Sequence, residues 1–221
     1  MMKSELHEVV GYYLLQPIAS MLEQIENARP EVLHFHSPKY LENSFSASII
    51  PLIVTLIDSF VHWSLFFIKR EQVEKSPIRI LLDDYQENDL ANQIDELFMV
   101  RHAIVHAHVW SREIGISFDR NIDYSDFELR KGYGNKLFRN IVDLTTGRTR
   151  ILGINVIPTR ISRSDIKLSL EVLNNLLTII ENKIMTQNEQ SQNLLNLSGQ
   201  FVVYKGQVVR FVDMLRQFTN D

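Results

Sequence analysis

An arginine and three histidines crowd into ten residues, Arg101-His102-Ala103-Ile104-Val105-His106-Ala107-His108-Val109-Trp110. Imidazole moves protons near neutral pH. Guanidinium is a planar fork that stays charged and holds phosphate oxygens. An arginine and a histidine held near each other are therefore the minimum kit for cleaving RNA without a metal. Read as a helix, the segment puts His102 and His106 on one face and Arg101 and His108 on an adjacent one. Arg101 and His106 lie roughly 140° apart around the axis at 3.6 residues per turn. They do not stack, but a long arginine reaches toward a site that His106 also faces. A second copy of the helix, related by two-fold symmetry, would bring two such sets around one cleft.

The chemical rival is a metal. His102, His106 and His108, with Asp58 or His62 from an earlier segment, could ligate zinc through nitrogen and oxygen. Arg101 beside a divalent cation is unfavourable, and no His-Glu-x-x-His pattern is present. Asp58 and His62 also read as a pair that holds one helix in register, and His34 and His36 as a loop feature. No glycine-rich phosphate loop and no Gly-x-Ser-x-Gly elbow occurs.

Long helices must position these residues. Apolar periodicity predicts a first helix from Ser4 to Ala28, kinked at Pro17. A connector runs from Arg29 to Lys39. A second helix spans Tyr40 to Gln72 and is bent at Pro51, and Ser76-Pro77 opens a short turn through Leu82. The third long helix runs from Asn88 to Arg112, with Gly115 marking its end. Ile116–Asp119 and Tyr124–Leu129 alternate as strands, Gly132–Asn135 reads as a turn, and Arg150–Ile161 is a further strand. A fourth long helix starts at Ser162 or Ser164 and reaches Met185. A linker rich in Gln and Asn, Thr186 to Ser198, precedes a hairpin over 201–209 and a short last helix. The expected fold is mainly α. It is one domain over 1–221, a four-helix bundle with a β-rich insertion at 115–161 and a linker and C-terminal extension at 186–221.

Composition bounds the functions open to this chain. Its 221 residues are 45% hydrophobic and 23% charged, the mix of a soluble globule with a sizeable core. The absence of cysteine excludes disulfides and thiolate metal sites. The charged N-terminus lacks the apolar run of a signal peptide, so a cytoplasmic location is expected. Ile49 to Ile68 is long and apolar enough for a membrane span. It carries Pro51, Asp58 and His62, however, and Ser48, Thr55, Asp58, Ser59 and His62 fall on one helical stripe. A core helix with one polar face is expected there, and no membrane partner.

The net charge of −4 hides an asymmetry. Residues 129–163 carry eight Lys and Arg (Arg130, Lys131, Lys136, Arg139, Arg148, Arg150, Arg160, Arg163) against the single acid Asp143. Arg130, Lys131, Tyr133, Lys136, Phe138 and Arg139 interleave basic and aromatic side chains, which suits phosphate contact and base stacking. The alternative for the charge run is a solvated loop surface, and for the β-rich insertion a dimer-stabilising flap.

Taken with its place late in a helix of a four-helix bundle, the segment Arg101, His102, His106 resembles the signature of the HEPN superfamily: arginine, a polar residue, then histidine after a gap of four to six. The resemblance covers roughly residues 4–112 and 162–185. It implies metal-independent RNA endonuclease activity, often in toxins of toxin–antitoxin pairs or in phage defence, with no cofactor and usually a homodimer whose interface completes the site. Arg101 and His106 would be the catalytic pair, with His102 positioning His106 or the phosphate. Asp58 would match an acidic residue that some members place near the motif, with His62 and His108 as further support. Some family toxins carry a tyrosine two residues after the motif histidine, which an antitoxin modifies. This chain has His108 there, so another antitoxin or regulatory protein, or none, is expected. The alternative in a different class is a non-catalytic helical module of the same type that binds RNA or a partner protein.

Overall fold

The structure, a computed structural model, describes residues 10–28, 39–68, 76–83, 85–106, 110–111, 114–116, 122–124, 128–129, 134, 136–185 and 199–220. It is mainly helical, with four small two-stranded sheets among the described residues. A 3-10 turn, Val10–Leu14, leads into α1 (Leu15–Asn27). Then come α2 (Lys39–Phe67), the short α3 (Pro77–Asp83) and α4 (Asn88–Val105). The insertion follows, and then α6 (Arg163–Ile179), which continues as one π-helical turn, Ile180–Met185.

α2 is the middle of the molecule. It packs against α1, α3, α4 and α6, and α4 also packs against α6. Ile49, Ile50, Ile53, Leu56, Ile57, Phe60 and Val61 are fully or almost fully buried, so apolar character wraps most of this helix. Its composition would allow a membrane span, but over half of that apolar stretch is buried inside the chain itself. The expected polar edge exists: Ser48 and Thr55 are exposed, and Asp58, Ser59 and His62 are half-buried. Pro51 is accommodated within α2 and does not end it. Gly11 lets the chain approach α2 closely. Its N–H donates to Ser59 Oγ at 2.9 Å, and a Cβ there would lie 3.0 Å from Leu56 Cδ1.

Several boundaries differ from the sequence expectation. Pro17 does not kink a long helix; it falls in the first turn of α1, where a missing N–H costs no intrahelical bond. The expected cap Ser4 lies outside the described residues. α4 stops at Val105, not Arg112, because Trp110–Ser111 (β1) pairs antiparallel with Glu128–Leu129 (β4) and takes backbone groups that a longer helix would use. Gly115 is not a helix terminator. It sits inside Ile114–Ile116 (β2), opposite Asp123 of Ile122–Tyr124 (β3). Of the expected strand over Tyr124–Leu129, Tyr124 belongs to β3 and Glu128–Leu129 to β4, and residues 125–127 lie outside the described residues.

The second half of the insertion is less β-rich than its pattern implied. Lys136–Ile141 form a helix, α5, and a tight hairpin joins Val142–Asp143 (β5) to Arg148–Thr149 (β6). Arg150–Ile161 is not a strand. Ile154, Asn155, Val156 and Ile157 are buried consecutively, not alternately, and Gly153 turns the chain at φ +69°. An isolated antiparallel bridge joins Asn155 to Arg148, and side chains take further backbone groups: Glu96 accepts the N–H groups of Ile151 and Leu152 at 2.8 and 2.7 Å, and Asp165 accepts that of Asn155 at 3.1 Å.

α6 begins as expected, with Ser162 as the cap. Its backbone N–H donates to Asp165 Oδ2 at 2.8 Å, in a reciprocal capping box. The C-terminal extension is also as expected. Phe201–Tyr204 (β7) and Gln207–Arg210 (β8) pair through a two-residue turn with positive φ at Lys205 and Gly206, and α7 (Phe211–Asn220) packs on α6 and α1. Gln16 of α1 holds the edge of β7 as another strand would, accepting from Val203 N–H at 2.8 Å and donating to its carbonyl at 3.0 Å. Glu26 receives the Tyr204 hydroxyl at 2.6 Å and Lys205 Nζ at 2.9 Å.

Candidate active site

α4 presents two sides with different duties. Leu90, Ala91, Ile94, Leu97, Val100 and Ala103 are buried against the rest of the helical core. Arg101 and His102 are exposed on its last turns. The helix ends at His106, whose backbone N–H still reaches the carbonyl of His102 at 2.9 Å. Because these two residues are one turn apart, their rings meet: the centroids are 4.5 Å apart and the planes tilted by 50°. His106 is half-buried and Arg101 stands free of the core on the adjacent face. His108 lies outside the described residues.

Beside this helix end is a cavity of about 740 Å³ between α2, α3, α4 and α5. Asp58 comes from α2, Ser76, Pro77 and Ile78 from the start of α3, and Asp95, Phe98, Met99 and His102 from α4. Leu137, Phe138 and Ile141 of α5, with Gly134, form a further wall among the described residues. Asp58 and His102 are thus brought to one cavity, whereas Arg101, His106 and His62 do not line it. Asp58 forms an ion-pair contact with His62, one turn on, at 3.5 Å, and both side chains are close to half exposed.

Arg79 builds the cavity wall from behind. Its guanidinium donates to both Asp95 and Asn92 of α4, with Nε–Oδ2 of Asp95 at 3.1 Å and Nη2–Oδ1 of Asn92 at 2.7 Å. This clamp fixes α3 to α4 and occupies the Asp95 carboxylate. On the other side of α4, Glu96 is 2% exposed and holds the loop at Ile151 and Leu152. Neither Arg79 nor Glu96 is among the candidate site residues that the motif spacing suggests. A signal for Glu96 existed, since it shares a helical face with Val100 and Ala103, and an acid on an apolar face needs a buried donor.

The basic and aromatic run divides. Lys136 and Arg139 are exposed on α5. Arg139 Nε donates to the Gly134 carbonyl at 3.2 Å. Phe138 is 3% exposed because it anchors α5 in the core, and it also lines the cavity beside α4. Arg130, Lys131 and Tyr133 lie outside the described residues. Arg163, counted above with the basic run, has a structural duty: it pairs with Glu26 at 3.4 Å and lies over the Phe218 ring. Among the described residues, no three His, Asp or Glu side chains gather closely enough to hold a metal ion. Asp58 with His62 and His102 with His106 are two separate pairs.

Two imidazoles in ring contact beside an exposed guanidinium can exchange protons with a bound phosphodiester and balance its charge. No protein-family model matches the chain, and no curated protein and no solved structure was found to be similar to it.

Proposed function

We propose that this chain is a metal-independent RNA endonuclease of the HEPN type, acting in the cytoplasm as a toxin of a toxin–antitoxin pair or as a phage-defence nuclease. The observation that carries the proposal is the His102–His106 ring contact at the open end of α4, with Arg101 exposed on the same stretch of helix. His106 takes the proton of a ribose 2′-OH, and the oxygen attacks the adjacent phosphorus. The bond to the 5′-oxygen breaks, and a second imidazole, His106 of another copy in a homodimer, protonates the leaving oxygen. Arg101 offsets the charge of the phosphorane, and His102 orients the His106 ring or the phosphate. The products are a 2′,3′-cyclic phosphate and a 5′-OH, and DNA resists because it lacks the 2′-OH. Lys136 and Arg139, both exposed on α5, would contact the RNA backbone.

The test is cleavage of total RNA and single-stranded DNA in excess EDTA by wild type, Arg101→Ala and His106→Ala. Wild type cuts RNA alone and leaves cyclic phosphate ends, and each variant loses roughly 10²–10⁴-fold in rate. Cleavage abolished by EDTA refutes the mechanism. One observation favours the second reading, a non-catalytic module: neither Arg101 nor His106 lines the cavity. That reading predicts RNA binding without cleavage.

A further inference from the structure

The cavity beside the histidine pair has the composition of a base-binding site. Its volume, about 740 Å³, lies in the range of small-molecule pockets, roughly 300–1,000 Å³. Its walls are mostly apolar and aromatic, from Pro77, Ile78, Phe98, Met99, Phe138 and Ile141. The polar groups on the described walls are few: Asp58, Asp95, Ser76 and His102, with no Lys or Arg among them. Such a site repels a phosphate and accepts a flat ring that brings its own N–H donors.

The two carboxylates are not equivalent. Asp95 is engaged by the Arg79 clamp, whereas Asp58 is close to half exposed and touches only the neighbouring His62 at 3.5 Å among the ion pairs described. A carboxylate offers about four acceptor positions, so Asp58 retains capacity for two parallel donors. His102 lines the cavity and its ring touches that of His106, so a phosphate held at the histidine pair puts the attached nucleoside at the cavity mouth.

We propose that this cavity is a base-recognition subsite that takes one unpaired guanine of the RNA substrate, with Asp58 accepting from its N1–H and N2–H edge. The proposal rests on the ribonuclease reading above. Guanine alone among the four bases presents two adjacent donors on that edge. Adenine and cytosine set an acceptor nitrogen beside the amino group, and that lone pair faces the carboxylate unfavourably. The edge is accessible only in an unpaired nucleotide, which confines the site to single-stranded segments. α5 supplies one wall, so the insertion contributes base selection to the helical scaffold.

The experiment measures binding of the full-length His106→Ala chain, which leaves the probe intact, to short fluorescent oligouridylates carrying one central guanosine, adenosine or cytidine, or none. The guanosine probe is expected to bind about tenfold tighter, the scale of one bidentate contact. Asp58→Asn exchanges one acceptor for a donor that opposes guanine. Leu137→Trp fills the cavity from a residue 58% exposed, so the core is left alone. Each, added to His106→Ala, erases the guanine preference while affinity for the uridine-only probe is kept. Equal affinities for all probes, or a preference that survives both changes, overturns the subsite. Guanine preference in binding with no cleavage by wild type removes the ribonuclease reading and keeps the pocket. Cleavage by wild type with equal affinities does the reverse.

Discussion

A carboxylate withdrawn from water needs donors of its own, and Glu96 finds two backbone N–H groups, at Ile151 and Leu152. Removing it leaves both without that acceptor and releases the loop from α4. Hydrogen bonds to charged groups contribute about 1.5–3 kcal/mol each. Glu96→Ala is therefore expected to lower unfolding stability by about 3 kcal/mol in urea, and Glu96→Gln by less. Tyr12 is a different case: burial, and secondarily the charge of Glu181, pushes its phenol up to about 12. Its hydroxyl has no hydrogen-bond partner among the described residues, and its ring meets Phe60 edge-on at 6.0 Å. An unfolded phenol ionises near pH 10, so the folded state holds this proton more tightly. Stability from it is fully present below pH ~10 and is lost as pH rises toward ~12. Tyr12→Phe removes that loss and is expected to raise the midpoint of alkaline unfolding followed by circular dichroism. An unchanged midpoint would mean that the phenol ionises as readily in the folded chain.

At the scale of elements, helix ends decide where the histidine pair and the buried caps sit. α6 starts where Ser162 and Asp165 cap each other, and Asp165 also accepts from Asn155 through both its backbone and its side-chain amide. Asp165 is 1% exposed, so Asp165→Ala removes a cap and strands buried donors together. The expected loss is about 3 kcal/mol, well above the ~1 kcal/mol of an exposed cap, and thermal or urea unfolding measures it. Ser162 could be seen in the sequence because a cap is a local pattern. The end of α4 could not, because apolar spacing continues past Val105. The pairing of β1 with β4 that stops the helix joins residues far apart in the chain. Arg150–Ile161 misled for a related reason. Ile154, Val156, Ile157 and Ile161 are buried without strand alternation, and Glu96, Thr149 and Asp165 accept backbone N–H groups of the segment, so strand-like composition arose without a strand.

For the whole molecule, the proposed chemistry needs two imidazoles and two positions around the scissile phosphate. If a second copy supplies the acid, activity belongs to the dimer. Specific activity is then expected to fall on dilution through the dimer dissociation range, with the loss tracking the monomer fraction in sedimentation. A dilution-independent rate would assign acid and base to His102 and His106 of one chain, which are already in ring contact. The scaffold that carries these groups is α2, which packs on α1, α3, α4 and α6 and holds Asp58 on its narrow polar edge.

The sequence by itself determined the mainly helical class, the polar edge of α2, the Ser162 cap, the C-terminal hairpin and the sharing of one helical face by His102 and His106. Each follows from periodicity or from a pattern a few residues long, which local backbone geometry enforces. Only the tertiary structure decided that Asp58 and His102 meet at one cavity, that Phe138 anchors α5 in the core at the wall of that cavity, and that Glu96 and Arg79 brace α4. Those facts depend on which distant segments pack together. A phenylalanine between basic residues reads the same in sequence whether its ring faces water or core, and only packing distinguishes the two.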